Sequence, residues 1–359
     1  MLFEPGVVGS MEVKNRIVRS ATYEGLADDN GIVGDRYVDL YRRLAQGGAG
    51  LIITGFAYVR GDGISLRGQV GLYSDECVPP LEKMVKAVHE ADPDVKVVVQ
   101  LSHGGRQSHP KLTGGVLIAP SPIPDKSVKV TPKEMSRGEV KEVIEDFVRA
   151  AERAKDAGFD GVQIQACHGY LVSQFLSPYS NKRNDEYGGS TENRARMLIE
   201  IVKGVKKACG GDWPVLVKLQ MDDYVADENR LKPPESVEIA KMVSKSGADA
   251  IEVSGGMYES ALYGNLTSVR LNVGKEEPEA YFLPLAIEAK KALPSTPVML
   301  VGGIRSKNTA EEILEKGYAD FISMARPLIR DPDLPKKWMK GESLKSECES
   351  CNDCLRTAG

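Results

Sequence analysis

Four times along the chain, a helical segment ends at glycine and a short apolar strand begins within a few residues. The unit occurs as Gly47-Gly48-Ala49-Gly50 before residues 51–54, and as Gly158-Phe159-Asp160 before 161–165. It returns as Gly247-Ala248-Asp249 before 250–254, and as Gly317-Tyr318-Ala319-Asp320 before 321–324. Glycine closes a helix in the left-handed conformation that other residues resist, and aspartate suits the tight turn that follows. Each strand is apolar on both faces, which marks a parallel strand covered by helices rather than an antiparallel strand with one wet face.

Extending this pattern predicts eight strands, at residues 17–22, 51–54, 97–101, 161–165, 215–219, 250–254, 298–302 and 320–324, with helical segments between them. The helix at 35–46 places Tyr37, Leu40, Tyr41, Leu44 and Ala45 on one face. Ser136 with Glu139 reads as a capping box opening a long helix towards Ala157, and Thr309 with Glu312 as another. Alternating strands and helices argue for a parallel sheet, and a count of eight favours closure. The predicted fold class is α/β, a single (β/α)8 TIM barrel over residues 1–340 followed by a short cysteine-containing tail over 341–359. An open doubly wound sheet would carry a glycine-rich phosphate turn after its first strand, and Ser20-Ala21-Thr22-Tyr23-Glu24 is not one. The connections at 102–133 and 166–190 are too long for plain loops. Both follow strands, so both are insertions on the C-terminal face, while residues 1–15 are predicted to close the bottom of the barrel.

Composition narrows the function classes. Hydrophobic residues make up 42% and charged residues 27%, with a net charge of −4 and no basic stripe, which argues against nucleic acid as a partner. The apolar runs fall short of a membrane span. The start, Met1-Leu2-Phe3-Glu4-Pro5, lacks the basic and apolar regions of a signal peptide. A cytoplasmic enzyme acting on small molecules is the expectation, and a homo-oligomer is compatible with it.

Polar or small residues gather at the strand ends: Thr22, Gln100, Gln165 with His168 and Tyr170, Lys218, Ser254, Gly302-Gly303 and Ala325-Arg326. In a barrel these ends converge on one face, where such side chains need partners or a ligand. The glycine pair after the seventh strand and the arginine after the eighth occupy the usual phosphate position of such barrels. Glycine lets backbone N–H groups approach phosphate oxygens, and arginine adds a bidentate cation. A phosphorylated cofactor follows from this pattern alone.

Longer segments resemble the Old Yellow Enzyme family of FMN-dependent ene reductases. The most specific is HGYLVSQFLSPYSNKRNDEYGGSTENRARM at 168–197. NRIVRSAT at 15–22, VVVQLSHGGRQ at 97–107, VGGIR at 301–305 and ISMARPLIRDPDLP at 322–335 support it. The barrel is similar to that of the 2,4-dienoyl-CoA reductase-like members. The resemblance implies FMN as cofactor, NADH or NADPH as reductant, and an activated alkene as acceptor, with hydride delivered from flavin N5. It places Ala21 and Thr22 beside the flavin, Thr22 near O4, and Gln100 at the polar edge of the ring. It places Lys218 near N1–C2=O, where many members have arginine. Gly302, Gly303, Ala325 and Arg326 would hold the phosphate.

The substrate's activating oxygen would be held by His168 and Gln165, and Tyr170 would donate the proton. Gln165 departs from the histidine that family members carry at the first position of this pair. It can donate a hydrogen bond but cannot ionise. Lys218 has an alternative reading as the partner of a carboxylate such as Asp222 or Asp223. His103 is read as shaping the loop beside the flavin, and His89 and His109 as surface or packing groups.

Cys348, Cys351 and Cys354 resemble the start of an iron–sulfur ligand run. Such a cluster takes four cysteines, so a vestigial or truncated run is preferred to a bound cluster. Two other readings stand beside ene reduction: flavin-dependent amine oxidation or demethylation, and an electron-transfer subunit docking a partner through the cysteine tail.

Overall fold

Eight of the apolar segments hydrogen-bond in parallel and close on themselves. In the computed structural model, which describes residues 1–263 and 279–356, they are β1 (Ile17–Arg19), β2 (Leu51–Tyr58), β3 (Lys96–Ser102), β4 (Gly161–Ala166), β5 (Val215–Gln220), β6 (Ala250–Ser254), β7 (Val298–Val301) and β8 (Phe321–Met324). The pairing runs from each strand to the next and returns from β8 to β1, with Ile322 opposite Ile17 and Met324 opposite Arg19. The predicted (β/α)8 barrel is therefore the observed fold. The predicted strands all form, with ends displaced by a few residues.

Parallel pairing buries both faces of every strand. One face meets the surrounding helices in the main core, and the other points into the barrel. Inside the barrel, Val18, Ile53, Val98, Leu216, Ala250, Met299 and Phe321 pack as an apolar plug together with Val8, Met11 and Val13. The last three come from a hairpin of Gly6–Val8 with Met11–Val13 that closes the N-terminal end of the barrel. Dry packing of this kind makes the lower barrel a solid core rather than a channel.

The helix Asp35–Gln46 forms as predicted and buries Tyr37, Val38, Tyr41, Leu44 and Ala45, while Leu40 is only half-buried. Ser136 and Glu139 make both halves of the capping box that opens Arg137–Asp156. The second predicted capping box does not form. The helix Lys307–Glu315 starts two residues before Thr309, with Ser306 at its N-cap. The carboxylate of Glu279 takes the N–H groups of Arg305 and Ser306 at 2.7 and 3.0 Å. A long-range acceptor thus supersedes the local one.

Both long connections lie at the C-terminal face. The first contains the turn Gly105–Gln107 and the strand Ile118–Ala119, which pairs with Lys133–Glu134. The second contains the helix Leu171–Leu176. The tail returns to the same face. Lys307 N–H donates to Leu344 C=O at 2.9 Å, and Ser346 N–H to Arg305 C=O at 2.7 Å. Among the described residues no helix is long and apolar enough to cross a membrane.

Candidate active site

Above the apolar plug the inward side chains turn polar. Cross-strand register places Gln100 opposite Gln163, Gln165 opposite Lys218, and Lys218 opposite Glu252. Gln100 donates to Gln163 at 2.7 Å, and Gln163 donates to Glu252 at 2.8 Å. Lys218 Nζ lies 3.1 Å from the same carboxylate and donates to Ser20 Oγ at 2.9 Å. Ser20 in turn donates to Glu252 at 2.7 Å. Glu252 is fully buried. Burial alone would push its carboxyl up, but the Lys218 charge, with bonds from Ser20 and Gln163, holds it below the usual carboxylate range. The partner of Lys218 is therefore Glu252 rather than Asp222 or Asp223. Those two bond instead to Arg230 at 2.9 Å and to Ser177 at 2.5 Å.

A cavity opens on top of this layer. Its wall includes Ala21, Thr22, Gln100, Gln165, His168, Tyr170, Lys218, Gly302, Gly303, Ala325 and Arg326. The structure thus brings every residue singled out in the barrel to one place. The turn after β4 is built to present His168. Its backbone is left-handed, with φ of +65°, a conformation that costs energy for a non-glycine residue and persists only where neighbours impose it. Gln220 imposes it by accepting from His168 N–H at 2.8 Å. The imidazole Nδ1 meets Gln165 Nε2 at 3.3 Å, and Nε2 meets Ser254 Oγ at 2.8 Å. With the Gln165 amide donating to Nδ1, the tautomer consistent with both contacts carries its proton on Nε2. Burial, and then the Lys218 charge, hold His168 well below the usual histidine range, so it is neutral.

Tyr170 packs its ring 5.2 Å from that of Phe56. Burial, with Tyr258 and Cys167 nearby, pushes its phenol well above the usual range, so it keeps its proton at every working pH. Thr22 is fixed from below: Arg19 donates to its hydroxyl at 2.6 Å, and that hydroxyl lies 3.1 Å from Ser20 C=O. His103 holds its loop, accepting from Gly105 N–H at 3.0 Å and meeting Asp62 at 3.1 Å. His89 meets Asp160 at 3.0 Å, a packing contact at the barrel's outer wall.

The opposite end of the cavity belongs to β7 and β8. Gly302 and Gly303 have φ of +130° and +74°, backbone that favours glycine. A Cβ on Gly302 would meet the rings of Phe282 and Tyr281 at 3.0 Å. Arg326 donates to Asn352 of the tail at 2.7 Å, and Ser350 and Cys354 complete this end of the wall. Of the tail cysteines, Cys351 is exposed and the other two are half-buried. Among the described residues no three His, Cys, Asp or Glu side chains gather as a metal ion requires.

The donor set fits FMN. Positive-φ glycines beside an arginine suit a phosphate. The buried cation of Lys218 suits an electron-rich ring edge. Gln165 Oε1 and Ser323 Oγ, buried in the wall, have no hydrogen-bond partner among the described residues. Gly302→Ala tests the phosphate end. It should lower FMN affinity at least tenfold and cost about 1–3 kcal/mol of stability through the strained φ, read by flavin titration and thermal melting. Unchanged affinity would remove Gly302 from the cradle.

Glu252, Gln163 and Ser20 were not anticipated as members of the site. Their signal lay in alternation. Gln163 and Gln165 share a strand face, and Glu252 is the one charged residue in the strand Ala250–Ser254.

Comparison with known proteins agrees with this architecture. The sequence model described as the NADH:flavin oxidoreductase / NADH oxidase family matches residues 1–345. A metal reductase of Desulforamulus reducens is 38% identical over 358 residues, covering 99% of this chain and 51% of that protein. An NADPH dehydrogenase of a Geobacillus species is 37% identical over 336 residues, covering 93% and 92%. The structure of 2-naphthoyl-CoA reductase in complex with 2-naphthoyl-CoA superposes with a TM-score of 0.89 at 32% identity, covering 98% of this chain and 54% of that one. The chain thus spans about half the length of several of the relatives it matches.

Proposed function

The chain belongs to the NADH:flavin oxidoreductase / NADH oxidase family, FMN-dependent barrel enzymes that draw on NADH or NADPH, and from this we propose that it reduces the C=C bond of activated alkenes such as enones and enoates. The observation that carries the proposal is the pairing, on one cavity wall, of a neutral hydrogen-bonding set at Gln165 and His168 with a protonated phenol at Tyr170. FMN, when bound, supplies the hydride chemistry. Thr22 and Gln100 orient its ring, Ala21 packs beside it, and Lys218 stabilises charge on it. Gly302, Gly303, Ala325 and Arg326 hold its phosphate.

The protein's own residues do three things for the acceptor. Gln165 holds its carbonyl oxygen through the second N–H of its amide, and His168 through its Nε2–H once the substrate oxygen takes the place of Ser254 Oγ, drawing electron density from the alkene. Neither group ionises near neutral pH, so this binding does not switch with pH. Tyr170 delivers its phenolic proton to the α-carbon as negative charge develops there.

The test is a flavin spectrum of the purified protein, followed by anaerobic titration with NADH, NADPH and a panel of enones. The expected result is bleaching by a nicotinamide and recovery of the oxidised spectrum on adding an enone. Bleaching by a methylated amine without NAD(P)H, together with inert enones, would replace this reading with amine oxidation.

A further inference from the structure

Thr22 lines the cavity, but the charged groups behind it have no part in the reaction proposed above. Arg19 Nη1 donates to Thr22 Oγ1 at 2.6 Å and also to the Ser20 carbonyl. Its other terminal nitrogen lies 3.7 Å from Glu24 Oε1, and the two side chains are only 3% and 7% exposed. The same carboxylate oxygen accepts from the Tyr41 hydroxyl at 2.6 Å, and that hydroxyl accepts from Gly55 N–H at 3.0 Å. A buried cation, its counter-ion and a tyrosine of the helix Asp35–Gln46 thus stand in line behind one threonine.

The backbone makes room for this line. The register of β2 against β3 shifts between Ile53 and Phe56, and Gly55 sits in that bulge. A Cβ on Gly55 would overlap the Glu24 carboxylate and come within 2.6 Å of the Thr22 carbonyl. Bulges of this kind re-aim a strand beside a site. A buried ion pair is a weak source of stability, because desolvation offsets most of its attraction. Its place behind a residue of the cavity wall calls for another account.

The contacts fix what the Thr22 hydroxyl can do. A hydroxyl has one donor and two acceptor positions. Arg19 fills an acceptor position with a charge-assisted bond, which draws electron density from the oxygen and makes its O–H the stronger donor. That O–H donates to the Ser20 carbonyl at 3.1 Å, long beside the usual hydroxyl bond of about 2.7–2.8 Å. The same carbonyl keeps its bond from Arg19 when the hydroxyl turns to the cavity, so no buried acceptor is stranded. Burial pushes Glu24 up to about 6, which leaves it ionised at pH 8, and its charge balances the guanidinium. The cation therefore reaches the cavity chiefly through the Thr22 hydrogen bond. A donor on the flavin ring's carbonyl edge is worth more when the ring is electron-rich. We propose that Arg19, held by Glu24, is a positioning residue that commits the Thr22 hydroxyl to the flavin and so raises the flavin's reduction potential. The proposal rests on the placement of Thr22 beside the flavin; the arrangement behind Thr22 does not.

The test is the midpoint potential of the FMN-loaded protein at pH 8, compared with Thr22→Val, with Arg19→Met plus Glu24→Gln, and with all three substitutions together. Removing the ion pair as a unit avoids leaving one charge buried alone. Thr22→Val and the pair variant should each favour the oxidised flavin about tenfold, a fall of about 30 mV for a two-electron couple. The triple variant should match Thr22→Val. Should the pair variant fail to fold, Arg19→Lys takes its place, alone and with Thr22→Val. Lysine keeps the charge but lacks the fork that meets Thr22 and Glu24 together, so the ratio should shift about threefold, and only where Thr22 is present. A shift in Thr22→Val with none in the Arg19 variants would overturn the role of Arg19 and keep Thr22 beside the flavin. An unchanged potential in Thr22→Val would remove both. An Arg19 effect of full size without Thr22 would make it a through-space charge and overturn the coupling through the hydroxyl.

Discussion

Replacing Tyr170 with phenylalanine should slow alkene reduction by about two to four orders of magnitude while NAD(P)H bleaches the bound flavin at its original rate. The substitution removes one oxygen from a ring that is already packed against Phe56, so the fold and the cofactor site should be undisturbed. What disappears is the proton. Burial keeps the Tyr170 phenol protonated far beyond neutrality, and a group with that property can donate in every turnover without waiting on solvent. His168, held neutral by burial and the Lys218 charge, is no substitute, because in its contact geometry it already shares its proton with Ser254. Rapid mixing separates the two half-reactions, and product deuteration in D2O reports which face of the α-carbon is protonated. If alkene reduction in Tyr170→Phe runs at the original rate, the donor is another group.

The second large effect concerns the ion pair beneath the cavity. Lys218→Met leaves the Glu252 carboxylate buried with its cation gone, and removing one partner of a buried pair typically costs about 3–5 kcal/mol. The pH dependence identifies the cause. In the unmodified protein the Glu252 carboxyl is held below its usual range, so its contribution to stability is present above the unfolded pKa and is lost as pH falls through the lower folded value. In Lys218→Met, burial acts without the compensating charge and the folded pKa rises above the unfolded one. The sign then reverses: the variant is best off below the unfolded pKa and loses stability as pH rises through the folded value. Urea melts at pH 5 and pH 8 should show the variant's deficit growing with pH. Adding Glu252→Gln should recover much of it, because the neutral amide can still bond to Ser20 and Gln163. A small deficit, equal at both pH values, would mean that Lys218 carries little of the energy of this layer.

Much of the site was legible because a parallel barrel is repetitive. Four βα units carry their own glycine helix stop, and all eight strands are short apolar runs, so eight strands can be placed from local pattern. Once they are placed, closure sends every strand end to one face, and residues as distant as Thr22 and Arg326 share a cavity. The strand-end residues are therefore legible in the sequence without reference to any contact. The helix cap at Ser306 was misplaced for a related reason. A Thr-x-x-Glu pattern is local, whereas the acceptor that captures that helix end, Glu279, arrives from another connection.

Local pattern alone thus established the fold, the face that bears the site, and the glycine and arginine positions suited to a phosphate, because backbone conformation and strand periodicity are properties of short segments. The polar layer was decided only by tertiary structure. Ser20 and Glu252 lie 232 positions apart and meet at 2.7 Å, since inward side chains at one height of a closed barrel become neighbours whatever their separation along the chain. The same closure turned Lys218 from a lysine with several nearby carboxylates into one paired with Glu252.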